Sequence, residues 1–410
     1  MSIVNTVRGN SHEEIINIIA GNYITFLYGV ASMNTYYIKG ETGVGKTAIT
    51  RLIAAEVHKR IMADPYLYAK YPELSAPMPY KLIDGASADV ADFSIPVVNH
   101  DGGYVEFYGN KSLGLHTHEP IVINIDELTK MPPPVMAATH TALSTDDRML
   151  GHIPLHPLTL VILTGNLTEE RLGDTLKGHT ANRIVPIKLR KPSVQEYVEY
   201  AAGAGYNHYV IGWVYKTPEL LDSFTDPDYD PLQNSKIWNP KNGGAVQCFT
   251  CRSSEKLSNI AYAYLGFHDD NGNQVKGMMS KSEALSAMQG AVGNDAAADF
   301  MAFLSYRDKM PEPEDIKADW KTAKITDDPI AHCIVVTQAL GWCKTAQDCD
   351  AFLNYCTRLV NKRGNVNEEA VNMFISKGRE KLGDTIFDSE KFRDWCLDKS
   401  YINSKHVPKV

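Results

Sequence analysis

The chain has 410 residues, enough for roughly two to three domains. Its 44% hydrophobic and 22% charged content is that of an ordinary globular protein and excludes a low-complexity or fibrous one. A net charge of −8 argues against a nucleic-acid partner held on a basic face, and seven unpatterned cysteines argue for free thiols rather than a disulfide framework.

No apolar run approaches the roughly 18 residues of a membrane span. The stretch "MSIVNTVRGNSHEE" lacks the basic head and apolar core of a secretory signal. A cytoplasmic location with no membrane partner is expected. The first element is a helix, "HEEIINIIAGNYITFL", opened by a capping box in which Glu14 stands three residues after Ser11. The short, aromatic and β-branched "TYYIK" then reads as a strand. It runs into Gly40-Glu41-Thr42-Gly43-Val44-Gly45-Lys46-Thr47-Ala48, and a helix follows. Residues 65–79, rich in Tyr and Pro, read as a surface connection. "YKLIDGA" is the next strand, and "SIPVVNHDGGYVEFYG" a hairpin turning at Asp101-Gly102-Gly103. "PIVINIDE", "LTLVILTGN" and "RIVPIKL" are apolar runs suited to buried parallel strands. "RMLGHIPLHP" before the second of them suggests another hairpin. The first 190 residues therefore read as α/β with a parallel sheet. After Pro192 the texture is helical, interrupted by a long polar loop from Thr217 to Gly244, and a last helical block runs from about Ile330 to Trp395. The expected division is 1–192 as a nucleotide-binding α/β domain, 193–313 as a helical lid and 314–410 as a helical extension.

The glycine stretch matches G-x-x-x-x-G-K-[ST] in its proper strand–loop–helix setting. Its backbone N–H groups, Gly40 through Ala48, can close around phosphate oxygens at a helix N-terminus. Lys46 would reach the β- and γ-phosphates, and the Thr47 hydroxyl would ligate Mg²⁺. Asp126, at the tip of an apolar strand 80 positions beyond Lys46, would join the Mg²⁺ shell; Glu127 beside it would orient and deprotonate water. ATP and Mg²⁺ are the expected ligands.

In this order the motifs resemble the AAA+ ATPases, and more closely their MoxR-like branch. "DELTKMPPPVMAATH" resembles that branch's acidic strand end and proline-containing helix start. "LVILTGN" resembles its strand ending in a sensor asparagine, here Asn166. "GDTLKGHTANRIVPIKLRKPS" looks like the corner carrying an arginine finger, here Arg183, with Arg171 as a second candidate. "FTCRSSEKLSNI" resembles the lid motif, with Arg252 as its sensor arginine. The resemblance spans about residues 30–305. It departs at Thr129-Lys130, where the family usually has Asn-Arg, and at Cys251, where it usually has proline. It implies an AAA+ core with an all-α lid, ATP hydrolysis at a subunit boundary, and self-association into a hexameric ring. It also implies remodelling of a protein partner, often one bearing a von Willebrand factor A domain. Hairpin insertions in that branch face the pore or the partner.

The rivals are a nucleic-acid-associated AAA+ motor or loader, a nucleotide-gated scaffold and a small-molecule kinase. The acidic balance opposes the first. The full catalytic set opposes the second, and a kinase needs no such sensor and finger set. Cys248 and Cys251 form a C-x-x-C pair without the second pair a structural zinc site needs. His116 and His118, with His100 or His152, are loop histidines without a carboxylate partner and read as solvated rather than ligating.

Overall fold

A computed structural model of the chain describes residues 9–167, 178–226, 234–238, 247–269, 273–304, 310–311, 313–325, 329–360 and parts of 366–397. The described residues divide into two compact units, one reaching from the N-terminal side to Lys191 and one beginning at Pro192, with Thr225 and its neighbours counted to the first.

The first unit opens with α1 (His12–Leu27), started by the reciprocal Ser11–Glu14 capping box that the sequence shows. Strand β1 (Thr35–Gly40) leads into α2 (Lys46–Met62). The Tyr/Pro-rich connection is more ordered than expected. It forms α3 (Pro65–Lys70), because Asp64 caps the N–H groups of Tyr66 and Leu67 and Pro65 sits at the first helical position. Then come β2 (Tyr80–Asp84), β3 (Ser94–Asn99), β4 (Tyr104–Gly109) and β5 (Val122–Asp126). They are followed by α4 (Pro133–Thr139), β6 (Met149–Leu150), β7 (Ile153–Pro154), β8 (Leu160–Asn166), α5 (Gly178–Ala181) and β9 (Ile184–Leu189).

Five of these strands form a parallel sheet in the order β2-β5-β8-β1-β9. This is the α/β parallel-sheet architecture that the sequence predicts. Alternate residues of each strand point to opposite faces. Tyr36, Ile38, Leu160 and Ile162 meet Ile15, Ile19 and Tyr23 of α1 and Ile49, Ile53 and Val57 of α2. Tyr37, Ile123, Ile125, Val161 and Leu163 meet Phe93, Leu115, Leu128, Val135 and Leu150 on the other side. With both faces covered, the strands can be apolar throughout, as their sequences are. The β3–β4 hairpin stands outside this sheet and leaves Ile95, Val98, Tyr104 and Tyr108 exposed. Phe107 stacks on His152 next to the small β6–β7 hairpin, ring centroids 3.9 Å apart.

The second unit is helical. It comprises α6 (Val194–Gly203), α7 (His208–Lys216), α8 (Cys251–Leu265), α9 (Lys281–Val292), α10 (Asn294–Phe303), α11 (Pro313–Asp319), α12 (Pro329–Trp342), α13 (Ala346–Cys356) and α14 (Glu390–Leu397). A two-residue pairing of β10 (Phe267–His268) with β11 (Gln274–Val275) is too short to show in the sequence. Capping boxes at Ser193, Thr250, Ser280 and Thr345 set the starts of α6, α8, α9 and α13. One core runs through the unit, and Trp213 lies in it with its ring against Phe249 and Phe300. Gly212 lets α12 approach α7 closely: a Cβ there would lie 2.2 Å from Ile334 Cγ1. No described helix is long and apolar enough to cross a membrane.

Candidate nucleotide site

Parallel pairing brings the ends of β1, β5 and β8 to one edge of the sheet. Gly40 stands opposite Asn166, and Ile125 opposite Leu163. Ligand sites in open α/β sheets form outside such carboxyl ends. The glycine loop leaves β1 there. Gly43 and Gly45 take left-handed backbone (φ 75° and 95°), which a side chain would strain. The loop ends in the first turn of α2, and the N–H groups of a helix N-terminus favour an anion.

Lys46 is almost fully buried. Its ammonium donates to the carbonyls of Gly40 and Glu41, both at 2.8 Å, and to Asn166 Oδ1 at 2.9 Å. The Thr47 hydroxyl donates to Asp126 Oδ2 at 2.8 Å. Thus Lys46, Thr47, Asp126 and Asn166, up to 120 positions apart, converge. Glu127 follows Asp126 in left-handed backbone (φ 53°) and pairs with Lys130 at 2.6 Å, both about one-third exposed. The departure at Lys130 therefore places a cation on the candidate base.

Asp126 is aimed by more than Thr47. Thr164 donates to its Oδ1 at 2.5 Å, and the N–H of Glu127 to the same oxygen at 3.0 Å. Behind the carboxylate lies a polar chain. Thr164 Oγ1 is 3.3 Å from Asn124 Oδ1, Asn124 Nδ2 donates to Tyr80 Oη at 3.1 Å, Tyr80 Oη meets Thr50 Oγ1 at 2.9 Å, and Thr50 donates to Thr47 O at 2.8 Å. The chain closes on itself through Thr47 and Asp126. It ties α2, β2, β5 and β8 together with their buried polar groups paired.

These partners were not read from the sequence. Thr164 is visible only once β8 is placed beside β5. Asn124 looks like one polar letter in an apolar strand. Two others bind the loop itself. His12 Nε2 donates to the Val44 carbonyl at 3.0 Å, and Lys191 holds the Glu41 carboxylate at 3.2 Å with both side chains nearly buried. The Glu41 side chain is thus a tether to the end of β9.

Arg183 is not in this cluster. It precedes β9, at the end of the sheet where Ile184 pairs with Thr35, whereas the loop leaves the end where Leu189 pairs with Gly40. The strand between them spans about 17 Å at ~3.3 Å per residue, beyond an arginine's reach. Arg252 belongs to the second unit, exposed in the first turn of α8. Arg171 lies outside the described residues. Cys248 and Cys251 are unbridged, and among the described residues no group of three or more His, Cys, Asp or Glu is arranged to hold a metal ion.

No family profile and no curated protein sequence matches the chain. Among solved structures it is similar to a closed-state cryo-EM reconstruction of Hsp104 with ATPγS and FITC-casein, at 14% identity and a TM-score of 0.34, covering 72% of this chain and 47% of that one. It is likewise similar to a Thermotoga maritima RuvB mutant, at 13% identity and a TM-score of 0.32, covering 76% of each chain. The chain thus spans less than half of the Hsp104 chain. Likeness at this level leaves the chemistry to be argued from the side chains.

Proposed function

We propose that the chain is an ATPase of the AAA+ type, of its MoxR-like branch, hydrolysing ATP to ADP and phosphate. The observation that carries this reading is the convergence of Lys46, Thr47, Asp126 and Asn166 at the carboxyl edge of adjacent parallel strands, beside Glu127. The residues fit a triphosphate with its cation: a left-handed glycine loop, a helix N-terminus, a buried lysine, and a hydroxyl–carboxylate pair.

Thr47 and Asp126 would hold Mg²⁺, which neutralises charge on the β- and γ-phosphates when bound. Lys46 would exchange one of its protein acceptors for a phosphate oxygen. Asn166, already on Lys46, would hold the γ-phosphate or the attacking water in place. Glu127 would accept the water's proton, after breaking its contact with Lys130. Arg183 lies at the end of β9 remote from its own loop, which supports a role at the nucleotide of a neighbouring subunit and would make turnover depend on ring assembly. An arginine supplied in this way adds roughly 10³–10⁵ in rate. Arg252 would act from the lid. The domain assignment is 1–192 for the nucleotide-binding part, 193–313 for the lid and 314–410 for a helical extension, within a cytoplasmic hexamer. The exposed apolar residues of the β3–β4 hairpin support a role in contacting a protein substrate or a von Willebrand factor A partner.

Glu127→Gln tests the reading. Nucleotide binding should persist while steady-state hydrolysis falls by about 10²–10⁴. Loss of binding together with turnover would point to a structural role, and unchanged turnover would remove Glu127 as the base.

A further inference from the structure

Arg183 is exposed, yet one of its nitrogens is held by three acceptors at once. Nη1 donates to His140 Nδ1 at 2.9 Å, to the His140 carbonyl at 3.2 Å and to Ser144 Oγ at 3.0 Å. A guanidinium has no lone pair to offer, so His140 Nδ1 must accept. The imidazole is therefore neutral, with its proton on Nε2. All three acceptors are uncharged, and among the described residues no carboxylate pairs with Arg183. The arginine is fixed in direction while no described residue compensates its charge. Surface arginines in structural roles more commonly face a carboxylate.

The turn bearing these acceptors is anchored from below. Arg148 Nε donates to the Ala142 carbonyl at 3.3 Å, and its Nη1 donates to Thr159 O at 2.6 Å, at the foot of β8. Thr141 Oγ1 donates to Met149 O at 2.9 Å, and the Gly151 N–H to Ala138 O at 2.9 Å. Arg148 itself is so enclosed that burial pushes its guanidinium down to about 10. A half-buried cation bound to backbone carbonyls on two segments makes a stiff support.

We propose that His140 and Ser144 form a neutral socket that positions Arg183 for the anionic triphosphate held by a neighbouring copy of the chain. This rests on the trans role of Arg183 given above. His140 and Ser144 are positioning residues. They remove the rotamer freedom that a free arginine would lose on meeting phosphate, and they leave its full charge for that contact.

The test uses mixed assemblies of the full chain. One subunit type carries Glu127→Gln and supplies an intact arginine. The other carries Arg183→Ala and supplies the intact base. Turnover in the mixture then comes only from arginine and base on different chains. His140→Leu with Ser144→Ala is placed first in the arginine-supplying subunit, where kcat should fall about tenfold to a hundredfold with KM unchanged. Placed in the other subunit, the same pair should change nothing. His140→Asn, whose Oδ1 can replace Nδ1 as acceptor, should restore most of the loss, and Ser144→Ala alone supplies a milder variant should the pair fold poorly. Equal losses in both placements, or no loss in either, would overturn the socket while leaving the trans arginine standing. A mixture silent before any socket change would overturn the trans reading, and the socket with it.

Discussion

Glu127 is held in two ways that bear on its proposed use as a base. Its backbone is left-handed, a cost of order 1–3 kcal/mol that the surrounding fold must meet. Its carboxylate is drawn to Lys130, three positions on. With both groups about one-third exposed, that ion pair is worth no more than about 1 kcal/mol, so it restrains the carboxylate without locking it. Lys130→Ala should therefore raise turnover by no more than about fivefold, which steady-state assays at saturating ATP would measure; a large loss would mean that Lys130 itself touches the nucleotide. The residues that converge at the candidate site were legible in the sequence because the chemistry proposed for them is written in short local patterns. GETGVGKT marks its own loop, and two acids ending an apolar strand mark Asp126 and Glu127. Thr164, His12 and Lys191 carry no such mark. Each reaches the site through pairing or packing across the chain, and a lone threonine, histidine or lysine says nothing of that in advance.

At the scale of elements, β1 and β8 fit by a side-chain exchange. Tyr37 pairs in register with Leu163 and leans over Gly165, where a Cβ would lie 2.3 Å from the phenol oxygen. Gly165→Ala should cost about 1–3 kcal/mol in a denaturant melt by overpacking, and Tyr37→Val should recover part of it. Absence of coupling between the two changes would show that the strands simply shift. Asn124, fully buried in the middle of β5, tests the polar chain behind the site. Replacing it with Leu leaves Tyr80 and Thr164 short of a partner and should destabilise by about 1–3 kcal/mol, with weaker Mg²⁺-dependent nucleotide binding as Asp126 loses its backing. Binding and stability are measured separately, so a change in stability alone would confine Asn124 to the fold. The elements themselves were readable where a cap and periodicity agree, as at Ser11. The connection at 65–79 was not. Aspartate before proline is a helix start as well as a turn signal, and packing of Leu67 decides between them.

The whole chain has two compact units, and the second is more continuous than its sequence suggests. The helices of 193–313 and those beyond 314 share one core, with α12 laid on α7. A chain ending at residue 313 should leave the Gly212 face of α7 open to water, since α12 no longer covers it. It should bind a hydrophobic dye and lose its cooperative melt, and a truncated protein that melts like the full chain would show the extension to be dispensable. That seam also sets a schedule. Gly212 and Ile334 meet in space but are about 120 residues apart in the chain, so at about 5–20 residues per second a ribosome needs about 6–24 s to deliver the second after the first. Throughout that interval the Gly212 flank of α7 lacks the α12 surface that covers it. The first unit can fold while synthesis continues; the second must wait for its own tail, and in that wait the newborn chain is most exposed to aggregation and most in need of a holding chaperone.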